Sequence, residues 1–208
     1  MTSRIVLLTG RLVDEERYNE RRVALDLNWQ HLMQEIGYQI LIIPPTSSPD
    51  IVFSEIKCAG LVLTGGNDLS SQSASKLSRA RDEFERSLLE EAQKFEIPCL
   101  AICRGAQLVG ETLGFRLGPV ENHVAVEHEI KSPTGLKSYE RPVNSYHNFG
   151  LSQTGQVSPE TITLATALDG TVEAFAVPDR KLLAWMWHPE RAHTSVQVDK
   201  VLMREHFL

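Results

Sequence analysis

The chain has 208 residues, 42% of them hydrophobic, enough to bury a good core within one domain covering residues 1–208. A net charge of −6 excludes general nucleic-acid binding and leaves room only for a local basic pocket. Cys58, Cys99 and Cys103 are an odd count without metal-ligand spacing, and no apolar run suits a signal peptide or membrane span, so the chain reads as cytoplasmic, with no membrane partner.

Residues 4–9 read as a buried first strand ended by Gly10. Residues 11–20 are polar and charged, which suits a loop over the carboxyl end of that strand. From 20 to 36 the apolar residues Val23, Leu25, Leu27, Trp29, Leu32, Met33 and Ile36 recur at mostly helical spacing, with Gly37 placed as a C-cap. A second strand covers 38–43, a short helix runs to Ile56, and a third strand covers 59–64. Such alternation of strand and helix is the signature of a parallel sheet covered on both faces.

Gly65-Gly66-Asn67-Asp68 follow the third strand directly. Paired glycines there let backbone N–H groups face outward and hold an oxyanion, the plain alternative being an ordinary turn. Residues 70–78 are serine-rich and read as a mobile surface loop. Residues 79–95 form a charged helix with Phe84, Leu88, Leu89 and Ala92 on its core face and with Arg81, Asp82 and Glu85 on a mostly solvated surface, the alternative being that Arg81-Asp82 near its start brace a loop. The apolar run 97–102 then ends at Cys103, and a helix follows from Arg104 to Leu113. A thiol on that tight turn meets unpaired N–H groups and the positive end of the helix dipole, both of which favour thiolate. Cys103 is therefore placed as a nucleophile, the sulfur counterpart of a strand-to-helix nucleophile elbow. Cys58 and Cys99 read as packing.

Residues 120–145 alternate apolar and polar in short pieces, as antiparallel strands at a sheet edge do. His123 and His128 invite a metal reading, but no third ligand is spaced to match, so they read as exposed strand histidines with no metal. Asn144-Ser145-Tyr146-His147-Asn148 is a polar cluster, open between a structural turn and a substrate contact. Further strands cover 161–165, 172–177 and 181–187, with Glu173 near the sheet edge, and a helix covers 195–207. The last strand runs into His188-Pro189-Glu190. The proline keeps His188 extended, and residues two apart in an extended segment share a side, so Glu190 reaches the imidazole and leaves its other nitrogen as a base.

Taken in order, Arg81-Asp82-x-Phe84-Glu85, Ile102-Cys103-Arg104-Gly105-x-Gln107, Asn144-Ser145-x-His147, Glu173-Ala174-Phe175 and His188-Pro189-Glu190 resemble the class I glutamine amidotransferase fold, and within it the γ-glutamyl hydrolase branch, peptidase family C26. The resemblance spans nearly the whole chain. It implies an α/β three-layer sandwich, flavodoxin-like, with a mostly parallel central sheet and short antiparallel strands at the edge. It also implies a Cys103, His188, Glu190 triad that cleaves a γ-glutamyl amide through a thioester and releases glutamate. The oxyanion would face backbone N–H groups near Gly66 and Arg104, while Gly65, Gln107, Asn144, Ser145 and His147 would contact the glutamyl group. No metal or organic cofactor is needed. Ala101, Gly110 and Phe115 depart from the residues usual around the elbow. The short chain, Thr64-Gly65-Gly66-Asn67-Asp68-Leu69 and the opening Thr9-Gly10-Arg11-Leu12 are similar to a subgroup that hydrolyses γ-glutamyl-CDP-amidate in capsule synthesis. There Arg11, Arg17, Arg21 or Arg22 would meet a phosphate, helix-surface ion pairing being the alternative. A glutaminase subunit serving a separate synthase and a non-catalytic regulatory member of the fold are the competing readings, and a homodimer is compatible with the sequence.

Overall fold

Strands that are apolar on both faces need cover on both sides, and the computed structural model, which describes residues 4–208, supplies it. Met1, Thr2 and Ser3 lie outside the described residues. Five parallel strands form the centre: β1 (Ile5–Leu8), β4 (Gln39–Ile42), β5 (Gly60–Leu63), β6 (Cys99–Ile102) and β13 (Leu182–Trp185), in the order β4-β1-β5-β6-β13. This is the flavodoxin-like order, second-first-third-fourth-fifth among the parallel strands. Alternate side chains divide the core. Leu7, Leu61, Leu63, Cys99, Ala101 and Ala184 pack on one face under α2 (Pro49–Glu55), α3 (Lys76–Lys94) and α4 (Arg104–Thr112). Val6, Leu8, Val62, Leu100, Ile102 and Trp185 pack on the other under α1 (Asn28–Glu35) and α5 (Val196–His206).

Beyond β13 the sheet turns antiparallel through β12 (Val172–Val177), β11 (Ile162–Ala167), β8 (Val124–Lys131) and β9 (Arg141–Tyr146). The strand β10 (Phe149–Ser152) pairs with β12 and with β7 (Arg116–Pro119). Glu173 therefore lies on an interior strand, fully buried, and not at an edge. Among the described residues no helix is long and apolar enough to cross a membrane.

Residues 11–24 differ from the expected loop and helix start. They form a hairpin of β2 (Arg11–Glu15) and β3 (Glu20–Ala24), turned through Asn19 in the left-handed region. Opposite charges face each other across it, Arg21 to Asp14 at 3.1 Å and Arg22 to Glu15 at 3.7 Å. The hairpin is tied to the sheet by Asn67, whose side chain accepts from Leu12 N–H and donates to Leu12 O, each at 3.0 Å. The first helix accordingly begins at Asn28.

The largest departure concerns α3. Arg81, Asp82 and Glu85 are not solvated: all three are buried, and with buried Arg104 they form one ionic network beneath the strand ends. Arg81 Nε donates to Glu85 Oε1 at 2.8 Å, and Arg104 reaches both Glu85 and Asp82. Asp82 also accepts from Ser70 N–H and Oγ–H at 2.8 and 2.7 Å. Burial alone would raise the Glu85 carboxyl, but Arg104 and Arg81 outweigh it and hold it below its ordinary value. The serine-rich stretch is likewise built in, with Ser75 capping α3 through Leu77 N–H and Ser78 buried.

Truncating one partner of such a network leaves a buried charge uncompensated, which costs about 3–5 kcal/mol. Arg81→Met is therefore expected to lower Tm by roughly 6–20 °C, at about 2–4 °C per kcal/mol for a chain of this size. A thermal melt in which Arg81→Met unfolds with the wild type would show that the network carries no such weight.

Candidate active site

Because β6 and β13 run parallel with Ile102 opposite Trp185, both strands end at the same level. Cys103 is the next residue after β6 and caps α4 at φ 51°, ψ −106°, a region a non-glycine residue enters at a cost of about 1–3 kcal/mol. Its N–H donates to Trp185 O at 2.8 Å, which fixes the turn to β13. Gly105 makes the turn sterically possible: a Cβ there would stand 2.3 Å from Leu63 O, so only glycine lets α4 start this close to β5.

His188 follows β13 and is clamped by Asn144. Its N–H donates to Asn144 Oδ1 at 2.9 Å, and Asn144 Nδ2 donates back to His188 O at 2.8 Å. The imidazole Nδ1 lies 2.6 Å from Glu190 Oε1, so the carboxylate fixes the proton on that nitrogen and turns Nε2 towards the thiol. Burial opposes a charged imidazole here, yet the Cys103 sulfur beside it and the Glu190 carboxylate outweigh burial and push His188 up to about 10. Burial pushes the thiols of Cys99 and Cys58 up, away from thiolate chemistry.

Gly65 and Gly66 form the facing wall. A Cβ on Gly65 would stand 2.8 Å from His188 Cε1 and 3.5 Å from Cys103 Cβ, so this backbone passes directly against the pair. Arg81 Nη1 donates to Gly65 O at 3.0 Å and Nη2 to Thr64 O at 2.7 Å. A trans peptide points its N–H opposite to its carbonyl, so Gly66 N–H is aimed away from Arg81. Gly66 adopts φ +107° and lines the cavity, and Arg104 N–H stands in the unpaired first turn of α4.

Gly66, Cys103, Arg104, Gln107, His147, His188 and Arg11 line one cavity of about 450 Å³. Gln107 donates from Nε2 to Phe149 O at 2.8 Å, and His147 Nδ1 lies 3.1 Å from the same carbonyl, so both side chains are set by β10. Asn144 and Ser145 are placed differently from the expected substrate contacts. Both are buried off the cavity, Asn144 holding His188 and Ser145 donating to His123 O at 2.7 Å. Arg21 and Arg22 pair with carboxylates of the hairpin, and Arg17 lies over Tyr18 with its guanidinium 5.3 Å from the ring centroid. Arg191, which nothing in the sequence singles out, also lines the cavity: its guanidinium covers the Tyr146 ring at 4.4 Å, and that ring meets His188 edge-on at 5.8 Å. His123 also differs from the exposed histidine expected, being buried together with His147 and Glu173.

The chain matches the peptidase C26 family over residues 11–190, which include Cys103, His188 and Glu190. It is 34% identical over 198 residues to the Gamma-glutamyl-CDP-amidate hydrolase of Campylobacter jejuni, covering 93% of this chain and 94% of that protein. It is 26% identical over 174 residues to a glutamine-hydrolyzing GMP synthase subunit from Pyrococcus furiosus, covering 82% of this chain and 86% of that one. A glutamine amidotransferase structure from Thermotoga maritima superposes with a TM-score of 0.63 at 17% identity, over 97% of this chain and 83% of that one, and so shares the fold. The family match and the relative in Campylobacter together place the chain in the peptidase C26 family of hydrolases.

Proposed function

We propose that the chain hydrolyses the γ-glutamyl amide bond of a small conjugate whose leaving group carries phosphate, with γ-glutamyl-CDP-amidate as the specific case. The observation that carries the reading is a cysteine held in a strained elbow against a His188–Glu190 pair, at a cavity that also presents Arg11 and Arg191. Similarity to a protein named for that substrate supports the leaving group.

In this mechanism the Cys103 thiolate adds to the side-chain carbonyl carbon of the γ-glutamyl group. The carbonyl oxygen takes the electron pair and is held by N–H groups of Gly66 and Arg104. His188, protonated on Nε2 and held on Nδ1 by Glu190, passes its proton to the leaving nitrogen as the C–N bond breaks. A thioester remains on Cys103. His188 then takes a proton from water, the resulting hydroxide opens the thioester, and glutamate leaves. Gln107 grips the glutamyl end, while Arg11 and Arg191 meet the phosphate. Relatives named as GMP synthase subunits favour a second reading, ammonia delivery from glutamine to a separate synthase, in which isolated activity would be weak.

Glutamate release from glutamine, γ-glutamyl-γ-aminobutyrate, γ-glutamyl amino acids and γ-glutamyl-CDP-amidate separates these readings. Preference for the nucleotide conjugate, absent in Cys103→Ala, is the expected result. Preference for simple amine conjugates removes the phosphate from the proposal, and turnover of glutamine only with an added synthase supports the second reading. Losing a charge-assisted hydrogen bond costs about 1.5–3 kcal/mol, so Arg11→Ala and Arg191→Ala should each lower kcat/KM for the nucleotide conjugate by roughly 10–150-fold and leave simple amides nearly unchanged.

The His188 charge also sets a pH signature. His188 keeps its proton until pH rises through its raised value of about 10, so the alkaline limb of kcat/KM should fall there. Its stabilising share follows the same sign, present in full below the ordinary imidazole value and lost as pH climbs through the raised one. Glu190→Gln removes a carboxylate that raises His188, so the limb should move towards the ordinary imidazole value and the rate should drop by about 10²–10⁴-fold. A limb unmoved in Glu190→Gln would detach Glu190 from the base.

A further inference from the structure

Behind the cavity wall, His128 on β8 and Glu173 on β12 meet His123, just before β8, and His147, just after β9. The candidate ligand atoms of His123, His128 and Glu173 lie within 4.8 Å of one another, and His147 Nε2 lies 3.5 Å from Glu173 Oε1. Among the described residues, eight buried side-chain polar atoms have no hydrogen-bond partner, and five of them belong to this cluster. They are His123 Nδ1, His128 Nε2, His147 Nε2 and both oxygens of Glu173. Five orphaned atoms converging on one buried point call for a shared partner, because each left alone costs about 1–3 kcal/mol.

The separations say what that partner is. His123 Nδ1 and His147 Nε2 stand 3.4 and 3.5 Å from Glu173 Oε1, and His128 Nε2 stands 3.6 Å from Oε2. These are long for N–H···O bonds, which cluster at about 2.7–3.2 Å. They suit ligands around one tetrahedral ion, whose edges measure about 3.3–3.4 Å for metal–ligand bonds of about 2.0–2.1 Å.

The far sides of the rings are arranged to match. His123 Nε2 lies 2.9 Å from Asp169 Oδ2, and His147 Nδ1 lies 3.1 Å from Phe149 O. These two rings thus give their one N–H outward to a carboxylate or carbonyl and turn a lone pair inward, the usual outer arrangement of a metal-bound histidine.

We propose that His123, His128, His147 and Glu173 bind one divalent transition-metal ion of the zinc class. Three neutral imidazoles and a carboxylate suit such an ion. The ion's two positive charges are matched by Glu173 within the site and Asp169 just outside it. With Glu173 fully buried and the His123, His147 and His128 side chains at 4%, 1% and 17% exposure, four protein ligands fill a tetrahedral ion and leave no position for a reacting molecule. Its role is structural: it joins β8, β12 and the segment after β9, and it holds His147 against the Phe149 carbonyl that also anchors Gln107.

The test uses Cys103→Ala protein, so that zinc cannot sit on the active thiol. After chelation and dialysis, added zinc should be retained at one ion per chain by elemental analysis and should raise Tm. Cobalt in its place should give the intense visible absorption of a tetrahedral nitrogen–oxygen site. Asp169→Asn, which alters only the outer partner, should weaken zinc binding by about 10–100-fold. His128→Ala and Glu173→Gln should abolish stoichiometric retention, with circular dichroism reporting whether each is folded. Absence of stoichiometric zinc in the Cys103→Ala protein overturns the proposal whatever the variants do, as does undiminished retention in folded His128→Ala.

Discussion

The site depends on a guanidinium that never meets the reacting atoms. Arg81 takes the carbonyls of Thr64 and Gly65 on one side and Glu85 on the other, and Glu85 passes the constraint to Arg104, the first residue of the elbow helix. Both proposed oxyanion donors, Gly66 N–H and Arg104 N–H, are therefore set by one buried network. A peptide at the end of a parallel strand would otherwise rotate to offer its carbonyl to water. Preorganised donors matter because the field they supply need not be rebuilt at the moment of reaction. Such a network stabilises less than its contacts suggest, since four charges had to leave water. What it secures is direction.

Parallel pairing does the remaining positioning. The register that sets Ile102 beside Trp185 brings the residues after both strands together, so a nucleophile and a base far apart in sequence need only short leads from rigid strands. In flavodoxin-like sheets ligands gather outside the carboxyl ends of the strands, where loops diverge. The hairpin after β1 uses that space, and Asn67 anchors it to the same loop that Arg81 orients. Arg11 thereby reaches the cavity from a surface element without depending on a flexible loop.

Central strands are legible in the sequence because burial on both faces leaves a largely apolar run, ended by Gly65 after residues 59–64 and by the Cys103 turn after 97–102. The elbow and the His188–Glu190 pair are legible because local geometry, a strand-to-helix turn and a period of two, carries their chemistry. Arg81, Asp82 and Glu85 are not. Charges three and four apart on a helix look alike whether they face water or the carbonyl-rich ends of a sheet, and only the strand ends opposite decide between the two. The hairpin at residues 11–24 misleads for a related reason: its apolar residues are few, and its support comes from Asn67 and from cross-strand charge pairs. His123 and Glu173 escape because antiparallel register, not spacing along the chain, brings them together.

Three buried carboxylates on this scaffold show how the choice of cation assigns a task. Glu85 faces two arginines, whose protons stay put at any working pH, so its pairing is permanent and serves geometry. Glu190 faces a histidine, whose proton can be handed to a leaving group and regained from water, so the same charge pairing serves proton transfer. Glu173 faces three histidines at distances too long for protons to bridge well, an arrangement that suits a cation held in common. Exchanging arginine for histidine in the first case would let the oxyanion wall loosen with pH. Exchanging histidine for arginine in the second would leave the thiolate a counter-ion with no proton to give. The division follows from the acid–base chemistry of the two side chains, and it lets fixed and mobile charges lie within one core without interfering.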